Sequence, residues 1–488
     1  MPCTTILVGK KASNDGSTMI ARNDDGAFNP KKLIVVNPKD QPKKYKTKIS
    51  HLEIELPDNP LRYTSTPNVD TSKVGIWAAN GINECNVGMT ATETTTSNPR
   101  VLGADPLVTY KPASKGKKEV PGGIGEEDLV VLVLPYIKTA REGVLRLGSL
   151  LEKYGTYENN GIAFNDKDEV WWLESIGGHH WMAKRVPDDR YVMMPNQFGL
   201  DNFDFEDAKG EGKDNLCSAD LEQFMIDNCL LVKETKIMNP RYAFGSASDT
   251  DHIYNNPRAW FIGRFFNPTT YSWDGDNAEM KPESDYIPWS MVPEKKITVE
   301  DVKYILSSHF QGTPYNPYQK ADNPKKGMYR PIGVANTCVM AVLQIRNNVP
   351  SEIAGIEWIC FGCNVFNTIT PVYVNAKTMP KYFANTTLTV DTANNFSWAS
   401  KVLGALADHS YAKSILFIER YQNTVMNEAR RILNEYDKKM IESKDFSLTE
   451  KANQEIADMT QKQTNKTIDT VLLASMNDMK VRFYRGDN

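Results

Sequence analysis

The first 25 residues constrain this chain more than any other stretch. Cys3 stands almost at the amino terminus, and Thr4-Thr5-Ile6-Leu7-Val8 follows it, rich in β-branched residues and apolar on both faces. Such a run suits a strand covered on both sides, so it should be central. Asn14-Asp15-Gly16-Ser17 supplies turn chemistry, and Thr18 to Arg22 alternates enough to pair back antiparallel. The hairpin that results presents Cys3 beside Arg22 and Asp25.

A nucleophilic thiol needs a base and an oxyanion site. If Cys3 becomes the true amino terminus, its own α-amine, titrating near pH 8, can act as that base. The same cysteine can also be read as a small apolar residue opening a buried strand. Composition narrows the remaining classes. With 57 Lys+Arg against 61 Asp+Glu the net charge is −4, so no basic surplus draws the chain to nucleic acid or an anionic membrane. No apolar run approaches the roughly 20 residues of a membrane helix, and the start lacks a signal-peptide pattern. Seven cysteines, an odd number, fit reduced thiols in a cytoplasmic protein better than a disulfide framework.

Along the chain, Pro30 to Ser50 is lysine-rich and broken by prolines, which reads as a solvated edge. Val74 to Ala78 and Val87 to Glu93 read as strands joined through Asn80-Gly81. Glu126-Glu127-Asp128 puts acid at a helix start, where it complements the dipole, and helical spacing resumes after Pro135 up to Gly155. Between Gly161 and Met194 four short strand-like runs form a meander that delivers Pro195-Asn196-Gln197 to a strand end. Thr298 and Ser447 open capping-box patterns, and beyond Lys401 the pattern is helical in two segments. Cys360 and Cys363 form a lone CxxC read as structural.

Cys3-Thr4-Thr5-Ile6-Leu7-Val8-Gly9-Lys10, with Asp15-Gly16-Ser17 and Ala21-Arg22-Asn23-Asp24-Asp25, resembles the start of the bacterial dipeptidase A family. These are cysteine dipeptidases of the amino-terminal-nucleophile (Ntn) hydrolase superfamily. The resemblance continues through Asn80-Gly81-Ile82-Asn83-Glu84, Gly88 to Thr94, Trp171 to Trp181 and Gln311-Gly312-Thr313-Pro314-Tyr315. It implies an α+β fold, a four-layer αββα sandwich of two antiparallel sheets with insertions, and a peptidase that needs no cofactor and no metal. The divisions expected are a propeptide over 1–2, a catalytic domain over 3–400 and a helical portion over 401–488 packed on the core.

The resemblance also assigns residues. Cys3 matches the nucleophile, Arg22 the arginine on its thiol, Asp25 the aspartate that orients the α-amine, Asn196 an oxyanion donor and Arg258 a second active-site arginine. Two departures bear on function. Pro2 stands between Met1 and Cys3, so activity requires cleavage at Pro2-Cys3. Thr92-Glu93 stands where related acyl amide hydrolases carry an asparagine. An ionised carboxylate cannot donate, so Glu93 is expected to bind the α-ammonium of a dipeptide instead. The dipeptide's carboxylate calls for a cation or a nest of amides, with His179, His180 and Arg258 as candidates; the histidines could equally be alternating strand residues. Dipeptide substrates and a homo-oligomer are expected, with no nucleic-acid or membrane partner. The alternatives are an acyl amide hydrolase of the bile salt or penicillin V type and, more distantly, a non-enzymatic thiol protein.

Overall fold

β1 (Cys3–Val8) and β2 (Thr18–Asp25) pair antiparallel, with Cys3 opposite Asp24 and Thr5 opposite Arg22. Every residue of both strands is buried, the polar run Arg22 to Asp25 at the end of β2 included. The computed structural model that shows this describes residues 3–90, 93–231, 238–246, 248–476 and 478–481, with only the backbone of Glu93. β1 is flanked on its other side by Tyr191–Met194, and β2 by Thr337–Ile345. The sheet ends with Ser290–Met291 on one edge and with Gly355–Phe361 and Thr370–Tyr373 on the other, seven strands in all.

The second sheet is also antiparallel and runs Asn215–Cys217, His180–Arg185, Val170–Ile176, Asn160–Asn165, Gly88–Thr90, Asn80–Ile82, with Glu93–Thr94 added beside Asn160–Asn165. Leu7, Ile20, Val192 and Leu343 from the first sheet meet Ala163, Trp172 and Met182 from the second in one buried core. On the far side of the first sheet, Ile6, Val8 and Met340 pack on the helices Asn256–Phe266 and Val299–Leu306. On the far side of the second, Phe164, Trp171 and Leu173 pack on Leu129–Val133 and Ala140–Tyr154. These are the four layers of an αββα sandwich. The alternation along each strand, one side chain to the inner core and the next to a helical layer, explains why the run Ile6-Leu7-Val8 of β1 is apolar on both faces.

Several expectations need revision. Asn80-Gly81 is not a turn: Asn80–Ile82 is itself a strand paired with Gly88–Thr90, while 74–79 is not a strand. The turn lies at Asn83 to Val87, where the Asn83 side chain accepts from the amides of Cys85 and Val87. Gly81 is set by close packing, since a Cβ there would meet Thr64 O at 2.0 Å. The acids at 126–128 do lead into a helix, Leu129–Val133, but as a 3-10 turn whose three acids are all buried. Thr298 and Asp301 do form a reciprocal capping box, but at Ser447 the hydroxyl donates to Asp445 and Glu450 accepts from Lys377 N.

The carboxy-terminal region is three helices, Phe396–His409, Tyr411–Ser443 and Leu448–Met476, so helix begins ahead of Lys401. They dock on the sheet edge. Asn453 pairs with both backbone groups of Tyr373 at 2.8 and 2.9 Å, and Arg346 bridges to Asp437 at 2.6 Å. Cys360 and Cys363 lie in this interior, their thiols pushed up to about 12 by burial, with the buried Lys303 ammonium beside them lowered to about 8. No helix among the described residues is long and apolar enough to cross a membrane.

Candidate active site

Because Cys3 and Asp24 are opposed across the hairpin, Arg22 lies one two-residue step along β2 on the same face as Asp24 and reaches the thiol. Its Nη2 donates to Cys3 Sγ at 2.9 Å, to Glu126 Oε1 at 2.8 Å and to Asp24 Oδ1 at 3.4 Å, while Nη1 donates to Ala79 O at 3.3 Å. Burial alone would favour loss of the Arg22 proton, but Cys3, Asp24 and Glu126 together raise its pKa above the ordinary value. Cys3 Sγ and the oxygens of Asp24 and Glu126 lie within 4.8 Å of one another. That donor set could hold a metal ion, yet the cation all three share is Arg22.

Asp24 has a second partner, Lys31, whose Nζ sits 2.8 Å from Oδ2 and donates to Trp77 O at 2.7 Å. Burial works to raise the Asp24 pKa, and Lys31 and Arg22 outweigh it, leaving the carboxylate below its ordinary range. Lys31 is only 2% exposed, so the lysine-rich stretch read as a solvated edge sends one lysine into the interior. Trp77 holds φ at +50°, an unfavourable conformation for a bulky residue, while its carbonyl takes Lys31.

Asn196 and Arg258 close the other side of Cys3. The meander ends with Asn196 Oδ1 accepting from Cys3 N at 3.0 Å and from Arg258 Nη2 at 2.8 Å, and with Asn196 Nδ2 donating to Thr94 O at 3.1 Å. Arg258, near the start of the helix Asn256–Phe266, is 0% exposed. It donates to Cys3 O, to Thr4 Oγ1 at 2.8 Å, to Asn255 Oδ1 at 2.7 Å and to Tyr254 O at 2.8 Å. With those acceptors it orders the site from within and is not placed to receive a substrate carboxylate, one of the roles its sequence position suggested.

Asp25 points to the opposite face of β2 from Arg22. It accepts from Arg330 Nη2 at 2.5 Å and Thr337 Oγ1 at 2.6 Å. Burial raises its pKa, and Arg330 and Thr337 only partly offset this. Arg258 and Arg330 both stack on Tyr254, at 5.2 and 5.3 Å from its ring centroid.

The two histidines lie elsewhere. His179 and His180 follow the tight turn at Gly177-Gly178, where their Nδ1 atoms sit 3.0 and 2.7 Å from the two oxygens of Asp105. Burial opposes charge on Asp105, but hydrogen bonds from both rings and from the His179 amide hold it down at about 2. His180 stacks on Phe224. This correction to the substrate-carboxylate reading has a physical reason: the rings are committed to fixing a turn. Glu93 pairs through its backbone with Gly161, and its side chain, like Thr92, falls outside the described residues.

Four supporting groups were not singled out from the sequence: Lys31, Glu126, Arg330 and Thr337. Their only sequence signal is a charge or hydroxyl far from Cys3 in the chain, and the fold is what converts distance along the chain into contact. The backbone N–H of Glu126 also donates to a carboxylate oxygen of Glu158 at 2.9 Å. Behind it, burial and then the charge of Asp128 push Glu127 up to about 8; burial likewise pushes Asp128 to about 6 and Glu158 to about 7. Tyr157 and Tyr45 donate to Glu127 and Asp128 at 2.5 and 2.7 Å.

Carboxyl groups whose folded pKa is raised stabilise the fold fully below their unfolded values near 4 and lose that contribution as pH rises through the folded values. Between pH 6 and 9 the unfolding free energy is therefore expected to fall by on the order of 3 kcal/mol, at 1.36 kcal/mol per unit. Glu127→Gln, which mimics the protonated acid, should flatten the fall in urea titrations across that range. An equal slope in the variant would show that other groups cause it.

Comparison with known proteins places the chain among its relatives. Residues 2–424 match peptidase family C69. A protein of Bifidobacterium longum described as a dipeptidase is 48% identical over the full length of both chains. A probable dipeptidase A of Streptococcus pyogenes is 49% identical over 99% of this chain and 98% of its own. A probable dipeptidase B of Lactococcus lactis is 44% identical over 99% and 98%. With its whole length aligned to such relatives and most of it to the family, the chain belongs to peptidase family C69.

Proposed function

We propose that this peptidase cleaves dipeptides, with Cys3 as nucleophile and the α-amine of Cys3 as general base. The observation that carries the reading is the guanidinium of Arg22 on the Cys3 sulfur at 2.9 Å, with Asn196 on the Cys3 nitrogen at 3.0 Å across the same residue. A cation at hydrogen-bond distance favours the thiolate, which is the attacking species.

In this reading, hydrolysis of the Pro2-Cys3 bond first releases the amine that Asn196 serves to orient. The amine takes the thiol proton as sulfur attacks the scissile carbonyl, and gives it to the leaving amine as the C–N bond breaks. Asn196 Nδ2 and a backbone amide hold the oxyanion. Water then attacks the thioester, the amine removes its proton, and the acid and the free thiol are regenerated. The residues do this without a cofactor. Glu93 is the candidate for the substrate's α-ammonium: Glu93→Gln should raise KM for dipeptides several-fold and leave kcat nearly unchanged, and an unaltered KM would remove that role.

Intact mass and activity measured on one sample test the base assignment. Active protein is expected to begin at Cys3, and full activity in chains retaining Met1 and Pro2 would overturn it. Dipeptides assayed beside bile salt conjugates and penicillin V distinguish the acyl amide hydrolase reading, which turnover of the amides alone would favour. Asn196→Ala should lower kcat by roughly 10²- to 10³-fold, the usual loss for one oxyanion donor. A cytoplasmic site of action is favoured by the thiols of Cys85, Cys217, Cys229, Cys338, Cys360 and Cys363, none in a disulfide. Association into a homo-oligomer is favoured by Leu472, Leu473 and Met476, exposed together near the end of the last helix, and light scattering would settle it.

A further inference from the structure

The sulfur of Cys3 has two carboxylates within 4.8 Å, those of Asp24 and Glu126. Unmatched negative charge so close would oppose formation of a thiolate. Each carboxylate is matched. Asp24 carries Lys31 at 2.8 Å, and Glu126 carries Arg22 at 2.8 Å. Arg22 Nη2 therefore serves Cys3 Sγ, Glu126 and Asp24 at once, and Glu126 is the nearest of the three. Nothing in the chemistry proposed above gives Glu126 a part, yet it is 1% exposed and holds the Arg22 guanidinium that donates to the sulfur.

We propose that Glu126 is a positioning residue for the thiol chemistry: it fixes the Arg22 guanidinium on Cys3 Sγ and offsets part of its charge, and so sets the pH at which Cys3 ionises. The inference rests on the reading of Cys3 as nucleophile. Position explains the arrangement. The 3-10 turn at Glu126–Asp128 is anchored by Tyr157 on Glu127 and Tyr45 on Asp128, so the Glu126 backbone cannot drift. A fixed carboxylate in turn fixes a guanidinium better than a mobile one would, because the planar fork has few orientations that satisfy all its acceptors. Other charges also face this point. Asp24 and Lys31 approach from the hairpin side, Glu158 from behind the turn, and Arg330 lies near enough to Cys3 for the two to interact. Among the described residues the carboxylates on Arg22 are those of Glu126 and Asp24, with the Ala79 carbonyl on its other amino group, and Glu126 is the nearer of the two acids.

The test is the rate of Cys3 alkylation by iodoacetamide against pH, followed by peptide mapping so that Cys85 and Cys229 do not confuse it. Glu126→Gln removes the charge but keeps an acceptor, so the field at the sulfur becomes more positive. Its acid limb is expected to move down by about one pH unit or more. Glu126→Asp keeps the charge but cannot reach as far; its limb should stay in place while kcat for dipeptides falls about tenfold with KM little changed. A merely structural glutamate would lower thermal stability in both variants and move neither the limb nor kcat selectively. Unmoved limb in Glu126→Gln, or unchanged kcat in Glu126→Asp, overturns the proposal. Activity retained in Cys3→Ala would instead overturn the nucleophile reading beneath it, so the two failures are distinct.

Discussion

Cys3→Ala is expected to abolish dipeptide hydrolysis, by roughly 10⁴-fold or more in kcat, while the protein stays folded. The size follows from the role: removal of a nucleophile leaves only binding and oxyanion stabilisation, and losses of this order or larger accompany it. Stability should change little, since Cys3 is a small residue at a strand start whose backbone amide and carbonyl, which the substitution keeps, already carry Asn196 and Arg258. Cys3→Ser separates two contributions. A hydroxyl is a far weaker acid than a thiol, so Arg22 cannot bring it to an anion at neutral pH, and the serine variant should recover little. If processing depends on Cys3 itself, mass spectrometry of both variants will also find Met1 and Pro2 retained; if another protease performs it, the alanine variant will begin at residue 3. Hydrolysis within tenfold of the parent in purified Cys3→Ala would remove the nucleophile from the mechanism.

The reach of sequence reading in this chain is set by how local each signal is. The hairpin was legible because its determinants lie within 25 residues: two apolar runs, a turn tetrad and a register that the turn fixes. Asn196 was legible for a similar reason, since a meander of short strands has few ways to end. The Asn80-Gly81 pair misled because its chemistry suits a turn, whereas here Asn80 Nδ2 donates to Glu357 at 2.5 Å and its Oδ1 accepts from Thr66. Those partners lie 277 and 14 residues away, and only the packed sheets bring the first into range. The same holds for the acids at 126–128. Three consecutive carboxylates are ordinarily solvated, and nothing local announces that Arg22, Tyr157 and Tyr45 wait to receive them. His179 and His180 show the reverse error. Two adjacent histidines suggest chemistry, but Asp105 uses both to hold a turn. Pattern therefore located the hairpin that carries Cys3 and Arg22, and long-range pairing decided which charges surround them.

Arg258→Ala is expected to destabilise the fold by at least about 4 kcal/mol, a loss large enough to require a named cause. The cause is the number of acceptors it would strand. Arg258 is fully buried and donates to Cys3 O, Thr4 Oγ1, Asn196 Oδ1, Asn255 Oδ1 and Tyr254 O. A buried acceptor left unsatisfied costs about 1–3 kcal/mol, and although such costs are not additive, several at once exceed any relief from removing a desolvated charge. Truncation also leaves a cavity beneath Tyr254, whose ring the guanidinium covers at 5.2 Å. Arg258→Lys tests the geometry separately from the charge. A single ammonium has three donors and no planar fork, so it cannot span five acceptors, and it should recover less than half of the loss. Urea denaturation of both variants measures this. Because the same guanidinium joins the Cys3 carbonyl to Asn196, the lysine variant should also lose activity under conditions where it remains folded, through a displaced oxyanion donor and with kcat affected more than KM. A loss of under about 1 kcal/mol in Arg258→Ala would mean that water or rearranged side chains can satisfy those acceptors, and that the second arginine is not what holds the two halves of the site together.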